Sequence, residues 1–138
     1  GKGIGIGQAA PSNGIAIYGN PLNLKGTIKC NDRGWFKESV ALGQDNVDII
    51  YSPFLVTVIF HTRMKNPKSW YTDNAFNAIR EGYRPLVDVY ASLSTDNGSA
   101  STSVIGGVHS DGHITLQNRG ASFSSDAHYG SITYPVQI

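Results

Sequence analysis

Three residues that could act on a ligand lie close together towards the C-terminal end of the chain: His109, Asp111 and His113. They surround Gly112, and this segment is typical of a tight hairpin turn that would bring the two histidines together. Imidazole and carboxylate groups at this spacing can hold a metal ion or contact a ligand, and they are also common at solvated turns. We expect no bound metal, and the three side chains are candidate ligand contacts.

A second polar segment combines aromatic and charged residues. Trp70 and Tyr71 are adjacent, with Lys65 and Lys68 before them and Asp73 after them. A sugar ring has an apolar C–H face and a rim of hydroxyl groups, so an aromatic platform beside polar side chains suits carbohydrate. Core packing is the alternative for each aromatic residue taken alone. The candidate saccharide-binding residues are Trp70, Tyr71, Asp73, His109, Asp111 and His113.

The sequence offers little for acid–base or nucleophilic catalysis. Glu38, Glu81 and eight aspartates are the pool for a glycosidase carboxylate pair, and several aspartates lie beside Gly or Asn in turns. No Gly-x-Ser-x-Gly elbow occurs, and Cys30 lies on a predicted strand, where a small buried thiol is usual. His61 ends an apolar strand and is expected to be a satisfied structural histidine. We therefore expect no catalytic residue and no enzymatic activity.

Composition narrows the class of protein. Among 138 residues, 11 Lys and Arg balance 10 Asp and Glu to a net charge of +1, which argues against a dedicated nucleic-acid binder. The single cysteine excludes an intrachain disulfide and a four-cysteine zinc site. No apolar run reaches the length of a membrane span, so no membrane insertion is expected. High glycine content, two glutamates and 15% charged residues favour a β-rich domain.

Short strands must position the candidate residues, because apolar and polar residues alternate through most of the chain. We predict an all-β fold, a compact antiparallel β-barrel or sandwich. The most apolar strand, Phe54–His61, is expected to lie centrally with both faces covered. Pro135 cannot donate to a ladder, so the last strand is expected at a sheet edge or with a bulge. The predicted strands are Trp35–Leu42, Val47–Tyr51, Phe54–His61, Leu86–Leu93, Thr102–Val108, His113–Gln117 and Ser131–Ile138.

Turns and one helical segment complete the prediction. Turns are expected at Gly43–Asn46, Asp96–Gly98 and His109–Gly112, which carry Gly, Asn and Asp. The segment Thr72–Arg80 begins with possible capping residues and continues with apolar residues at helical spacing. It therefore predicts a short helix or a 3₁₀ turn.

The first 26 residues differ from the rest. Gly3–Gly7 alternates glycine with isoleucine, and Asn13–Gly19 nearly repeats the pattern, so we divide the chain into a stem (1–26) and a β head domain (27–138). The segment is either a flexible linker or a stem in which several copies pack around a symmetry axis. A phosphate-binding glycine loop would need a strand before it and a helix after it. Because the chain starts at Gly1 without a Met or a signal peptide, we expect it to be a piece of a longer polypeptide.

Several short motifs follow one another in residues 82–138. Gly82-Tyr83-Arg84-Pro85 opens a strand, Val104–Val108 leads to Asp111-Gly112-His113-Ile114-Thr115, and Gly130–Pro135 lies near the end. Their order resembles the C-terminal head domain of receptor-binding proteins from siphophages of lactococci and related Gram-positive bacteria. The Gly/Ile-rich stem is similar to the neck that trimerises such proteins.

The resemblance implies a homotrimeric spike at the tail tip or baseplate of a virion. Its β head would bind host cell-wall saccharide without cleaving it and without a cofactor, and a missing N-terminal part would contact other baseplate or tail proteins. Heads of this family often carry a His-x-Asp pair before the hairpin and an aromatic residue after Ile-Thr. Ile105, Gly107 and Leu116-Gln117 occupy those positions here, so the family's sugar site does not carry over.

Two other functions remain open from the sequence. A phage polysaccharide depolymerase would need a carboxylate pair whose mutation abolishes activity. A purely structural tail or baseplate module would keep its aromatic residues buried or between subunits. The release of new reducing ends from cell-wall polysaccharide would indicate the depolymerase. Glycan-array binding that Trp70→Ala and Tyr71→Ala leave untouched would favour the structural module or place the site elsewhere.

Overall fold

Short strands make up the regular structure of the chain. The computed structural model describes residues 4–6, 15–17, 35–96, 103–123 and 126–136. Within them the strands are β1 (Ile4–Ile6), β2 (Ile15–Ile17), β3 (Phe36–Leu42), β4 (Asp45–Tyr51), β5 (Leu55–Arg63), β6 (Thr72–Ala75), β7 (Val89–Ser92), β8 (Ser94–Thr95), β9 (Val104–Val108), β10 (Ile114–Asn118) and β11 (Ala127–Pro135). None of these described residues lies in a helix long and apolar enough to cross a membrane.

Two antiparallel sheets form a β-sandwich. One has four strands in the order β6-β10-β9-β7, and the other has five in the order β3-β4-β5-β11-β8. The predicted all-β fold is therefore confirmed, as a sandwich; in the described part of the chain the sheets do not close into a barrel. Separately, β1 and β2 pair in parallel with Ile4 opposite Ile15, so the two similar glycine–isoleucine segments are in register with each other.

The core lies between the two sheets. Each strand sends alternate side chains inward, as a half-buried sheet requires. From β5 these are Val56, Val58 and Phe60, and from β10 they are Ile114 and Leu116, all at most 1% exposed. Burying one such side chain stabilises the fold by roughly 1.5–3 kcal/mol. One contiguous apolar cluster thus joins both sheets.

The expectation that β5 is covered on both faces is wrong. The strand is the middle one of its sheet, but Leu55 and Ile59 on its other face are 48% and 39% exposed. His61, which we expected to be a satisfied structural histidine, lies on the same exposed face, where its ring stacks on Tyr129 at 4.7 Å between centroids. An apolar run alone does not tell whether a second layer is present to cover it.

The predicted helix at Thr72–Arg80 is also wrong. Thr72–Ala75 forms strand β6, which pairs with β10 from Gln117↔Thr72 to Ile114↔Ala75. The chain then turns at Asn77, whose φ is +51°. Asp73 and Ala75 point inward at a period of two, and the strand pairing to β10 outweighs the helical spacing of the apolar residues.

The other sequence predictions fare better. The turn at His109–Gly112 is confirmed, with the Gly112 amide donating to the His109 carbonyl at 2.8 Å. The strand at Leu86–Leu93 shortens to β7, and Leu86 and Val87 precede it, each 70% exposed. The last strand, β11, begins at Ala127 and lies between β5 and β8. Strand β8 pairs with His128 and Tyr129, near the beginning of β11, and does not reach Pro135. Cys30, Asn97, Gly98 and most of residues 1–26 lie outside the described residues.

The two sheets meet closely where Gly106 of β9 faces Phe60 of β5. A Cβ on Gly106 would lie 2.8–3.1 Å from three atoms of the Phe60 ring, which belongs to the opposite sheet. Phe60 is 1% exposed and has no room to move. Gly106 therefore sets the distance between the layers at this point.

We expect Gly106→Ala to lower the free energy of unfolding by about 1–3 kcal/mol, because the methyl group overpacks the ring. In a Phe60→Leu background the same substitution should cost less, since the overlapping ring atoms are gone. Urea unfolding of the four proteins measures this coupling. An equal cost in both backgrounds would contradict the packing argument.

The buried side chain of His128 makes the stability of the fold depend on pH. His128 on β11 is fully buried against the Phe123 ring, and neither ring nitrogen has a hydrogen-bond partner among the described residues. Burial lowers the pKa of His128 below its ordinary value of 6.5, and the nearby Asp126 only partly offsets this. The unfolded chain therefore takes up a proton at higher pH than the folded chain.

We expect the free energy of unfolding to fall as the pH drops below about 6.5, since the unfolded state then binds the extra proton. His128→Gln should flatten this dependence between pH 7.5 and 5.5 in urea titrations. His61→Gln, which removes an exposed histidine of the same sheet, is the matched control and should leave the slope unchanged. A slope that survives in His128→Gln would show that another group carries it.

Candidate functional site

Polar and aromatic side chains cover the outer face of the four-stranded sheet, the face turned away from the core. Paired residues of neighbouring strands share a face. Thr115 pairs with Asn74 on one side and Gly107 on the other, and Gly107 pairs with Tyr90. The next row on this outer face consists of Thr72, Gln117, Ile105 and Ser92.

His109 lies at one end of the outer face and is held at both ring nitrogens. Its Nδ1 is 3.0 Å from Asp88 Oδ2, and its Nε2 is 2.8 Å from Thr115 Oγ1. A carboxylate only accepts, so Nδ1 carries the proton and the Thr115 hydroxyl donates to Nε2 of the neutral ring. Gln117 Nε2 donates to Thr115 Oγ1 at 3.1 Å. Together these bonds fix the orientation of the imidazole.

The carboxylate of Asp88 joins β7 to the β9–β10 turn. Besides His109, it accepts hydrogen bonds from the backbone amide of Ser110 at 2.8 Å and from the Ser110 hydroxyl at 3.1 Å. These bonds, the Ser110 amide first and the His109 ring second, lower the pKa of Asp88 to about 2. Asp88 therefore stays charged at any pH at which the protein is handled.

His113 stacks on His109. The two rings are 3.8 Å apart between centroids and nearly parallel, at 9°. His113 Nδ1 lies 2.5 Å from Asp111 Oδ1, and this hydrogen bond is the main cause that lowers the pKa of Asp111. Phe76, which is 73% exposed, extends the stack beyond His113 with a centroid distance of 5.8 Å. The faces of the two imidazoles thus cover each other, and the exposed Phe76 ring continues the stack.

Tyr90 lies on the other side of His109. Its ring meets the imidazole edge-on at 5.4 Å, and half of the tyrosine, 52%, is exposed. We call the whole group the histidine end of the outer face. It consists of Phe76, Asp88, Tyr90, His109, Asp111 and His113.

The absence of a side chain at Gly107 lets these groups pack closely. A Cβ on Gly107 would lie 2.6 Å from Thr115 Oγ1 and 3.0 Å from both His109 Nε2 and a ring carbon of Tyr90. Only glycine fits this position without displacing a neighbour. The imidazole, the hydroxyl group and the phenol ring therefore close over the buried backbone of Gly107.

Trp70 lies near the opposite end of the outer face. Its indole is 72% exposed and faces the guanidinium of Arg119, whose Cζ is 5.1 Å from the ring centroid. Arg119 Nη1 is 3.4 Å from the Thr72 hydroxyl, which belongs to the outer face. We call Trp70 and Arg119 the tryptophan end.

The two remaining candidates have partners within the fold. Tyr71 is half-buried and packs against the core cluster. Asp73 is 5% exposed, and one of its oxygens accepts the backbone amide of Lys65 at 2.9 Å. Their side chains are thus committed to packing and to holding the loop before β6, and we leave both out of the proposed site.

Only part of this site could be predicted from the sequence. His109, Asp111 and His113 come together because one turn carries them. Asp88 and Tyr90 join them through the pairing of β7 with β9, and Gly107 through its absent side chain. Tyr90 had one usable signal, since it lies on the polar side of a strand whose other side is apolar. Among the described residues no three His, Cys, Asp or Glu side chains are placed to hold a metal ion.

We expect neutral His109 to carry its proton on Nδ1, because Asp88 accepts there and Thr115 donates to Nε2. The ¹⁵N chemical shifts of the imidazole above pH 8 measure this tautomer. Asp88→Asn should weaken the preference, since an amide can donate as well as accept. Asp111→Asn, which alters the partner of the other histidine, is the matched control. A dominant Nε2–H form in the native protein would contradict this hydrogen-bond arrangement.

Comparisons with known proteins give no identification. No protein-family model matches the chain, and a search of curated proteins finds no match either. The function is therefore argued from the outer face itself and from the sequence resemblance.

Proposed function

We propose that this chain is the head of a phage receptor-binding protein that holds host cell-wall saccharide on the outer face of its four-stranded sheet. The saccharide contacts the histidine end and leaves unaltered. The protein acts outside the host cell, at the tail tip or baseplate of the virion. The resemblance of the sequence motifs supports the phage assignment, and the geometry of the outer face supports saccharide binding.

One observation carries the binding proposal: exposed aromatic rings adjoin polar groups that hydrogen bonds hold in place. Tyr90 and Phe76 are 52% and 73% exposed, and aromatic rings of that exposure gain little from core packing. Between them lie the imidazoles of His109 and His113, each hydrogen-bonded to its own carboxylate. A sugar can stack its C–H face on such a surface while its hydroxyls meet nitrogen and carboxylate atoms.

The same geometry favours binding over cleavage. Thr115, His109 and Asp88 are joined by hydrogen bonds of 2.8 and 3.0 Å in the order hydroxyl, imidazole and carboxylate, as in a nucleophilic triad. Thr115, however, is only 2% exposed, so its hydroxyl cannot reach a substrate. We therefore regard this chain of hydrogen bonds as a device that orients the His109 ring.

Trimerisation through the Gly/Ile-rich stem would compensate for a shallow, weak site. Three heads on one spike and several spikes on one particle raise avidity by about 10²–10⁴ without any new contact. Each site then releases its sugar readily while the particle stays at the surface. The partners in this proposal are two further copies of the chain, host saccharide and other tail proteins.

The test uses fragments of host cell-wall polysaccharide from lactococci and related Gram-positive bacteria, titrated by NMR. Tyr90→Ala should weaken binding about three- to tenfold, the value of one stacking contact. Tyr129→Ala is the matched control, because it removes a half-exposed tyrosine from the other sheet and should leave binding unchanged. No new reducing ends should appear on long incubation.

Three results would overturn the proposal. If both tyrosine variants bind as the native protein does, the outer face is not the site. If reducing ends accumulate, the chain is a depolymerase. If the protein binds none of the fragments, a purely structural tail module is favoured instead.

A further inference from the structure

Trp70 is held in an unfavourable backbone conformation although it contributes little to the core. Its φ is +59°, in the left-handed region that residues other than glycine rarely adopt, and its side chain is 72% exposed. The neighbouring Ser69 fixes the loop, since its hydroxyl donates to the Gly120 carbonyl at 2.6 Å and its amide donates to Ser122 Oγ at 3.3 Å. A strained residue with an exposed indole points to a role outside the core.

Arg119 connects this indole to the outer face. The guanidinium lies against the Trp70 ring and reaches the Thr72 hydroxyl at 3.4 Å. Stacking on a planar cation limits the motion of the indole and leaves its other surface to solvent. The tryptophan end is thus a second flat platform, separate from the rings of the histidine end.

Polar contacts run from one platform to the other. Thr72 pairs with Gln117 across β6 and β10, Gln117 donates to Thr115, and Thr115 donates to His109. His113 and Arg119 flank β10, and six residues at roughly 3.3 Å each separate them by about 20 Å. Exposed Asn74 also lies on this face, so amide and hydroxyl groups line the path between the rings.

We propose that the outer face binds one linear oligosaccharide along β10, with one sugar stacked at the histidine end and another on Trp70. This inference rests on the proposed function and deepens it, because it names a chain of several sugar units as the ligand. Aromatic platforms at both ends supply stacking, and the amides and hydroxyls between them match the hydroxyls of the intervening sugars. The described residues of this face do not form the row of cations that a nucleic acid would require.

Size-fractionated fragments of host cell-wall polysaccharide test the proposal by titration. The native protein should bind fragments of several units more tightly than fragments of one or two. Trp70→Ala should weaken binding of the long fragments about three- to tenfold and leave the short ones unchanged. Tyr90→Ala should weaken binding of both. Trp35→Ala is the matched control, since it removes the other exposed tryptophan, next to β3, and should change neither.

A second readout does not depend on affinity. The chain has two tryptophans, so Trp35→Ala assigns the two indole N–H resonances. The Trp70 signal should shift with long fragments and stay in place with short ones. The second subsite is refuted if affinity does not rise with fragment length. It is also refuted if Trp70→Ala binds long fragments as tightly as the native protein while Tyr90→Ala is impaired. In either case the proposed function stands. If Tyr90→Ala is unimpaired with both, the proposed function itself fails.

Discussion

The carboxylate of Asp88 is the constraint on which the histidine end depends. It lies just before β7 and accepts the amide and hydroxyl of Ser110 and the Nδ1 proton of His109, all from the β9–β10 turn. Because its pKa is about 2, the carboxylate is charged at neutral pH and accepts these hydrogen bonds there. Because His109 is fixed, the rings of His113 and Phe76 that stack beyond it have a defined place. A side chain too short to reach the turn would leave the Ser110 amide without its partner. An amide in place of the carboxylate would have one accepting oxygen instead of two.

Two adjacent glycines of β9 serve the two faces of one sheet. Gly106 points inward, where only a hydrogen fits beneath the Phe60 ring, and Gly107 points outward, where Thr115 and His109 leave no room for a methyl group. Close packing thus demands both glycines. Because side chains alternate along a strand, a single dipeptide couples the spacing of the layers to the shape of the outer face.

What could be predicted from the sequence follows from how local each feature is. The hairpin around Gly112 was predictable, because its turn residues and both strands lie within a few positions of one another. Thr72–Arg80 was misjudged because pairing with β10, which is 39 to 45 residues away along the chain, decided its conformation. The same holds for the site. His109 and His113 come from one turn, whereas Asp88, Tyr90 and Phe76 reach them through the register of β7 and β6, which composition and spacing do not encode.

In the proposed saccharide complex, a rigid face would make weak contacts selective. The rings of the histidine end rest on paired strands and on hydrogen bonds to carboxylates, so little side-chain entropy would be lost when a sugar binds. Trp70 is fixed by different means, through a strained backbone and a stacked guanidinium. A ligand that reaches both platforms gains two stacking contacts on one prearranged surface, whereas a shorter ligand gains one. Selectivity for chain length would then come from the distance between the platforms, and the strength of attachment from the number of heads.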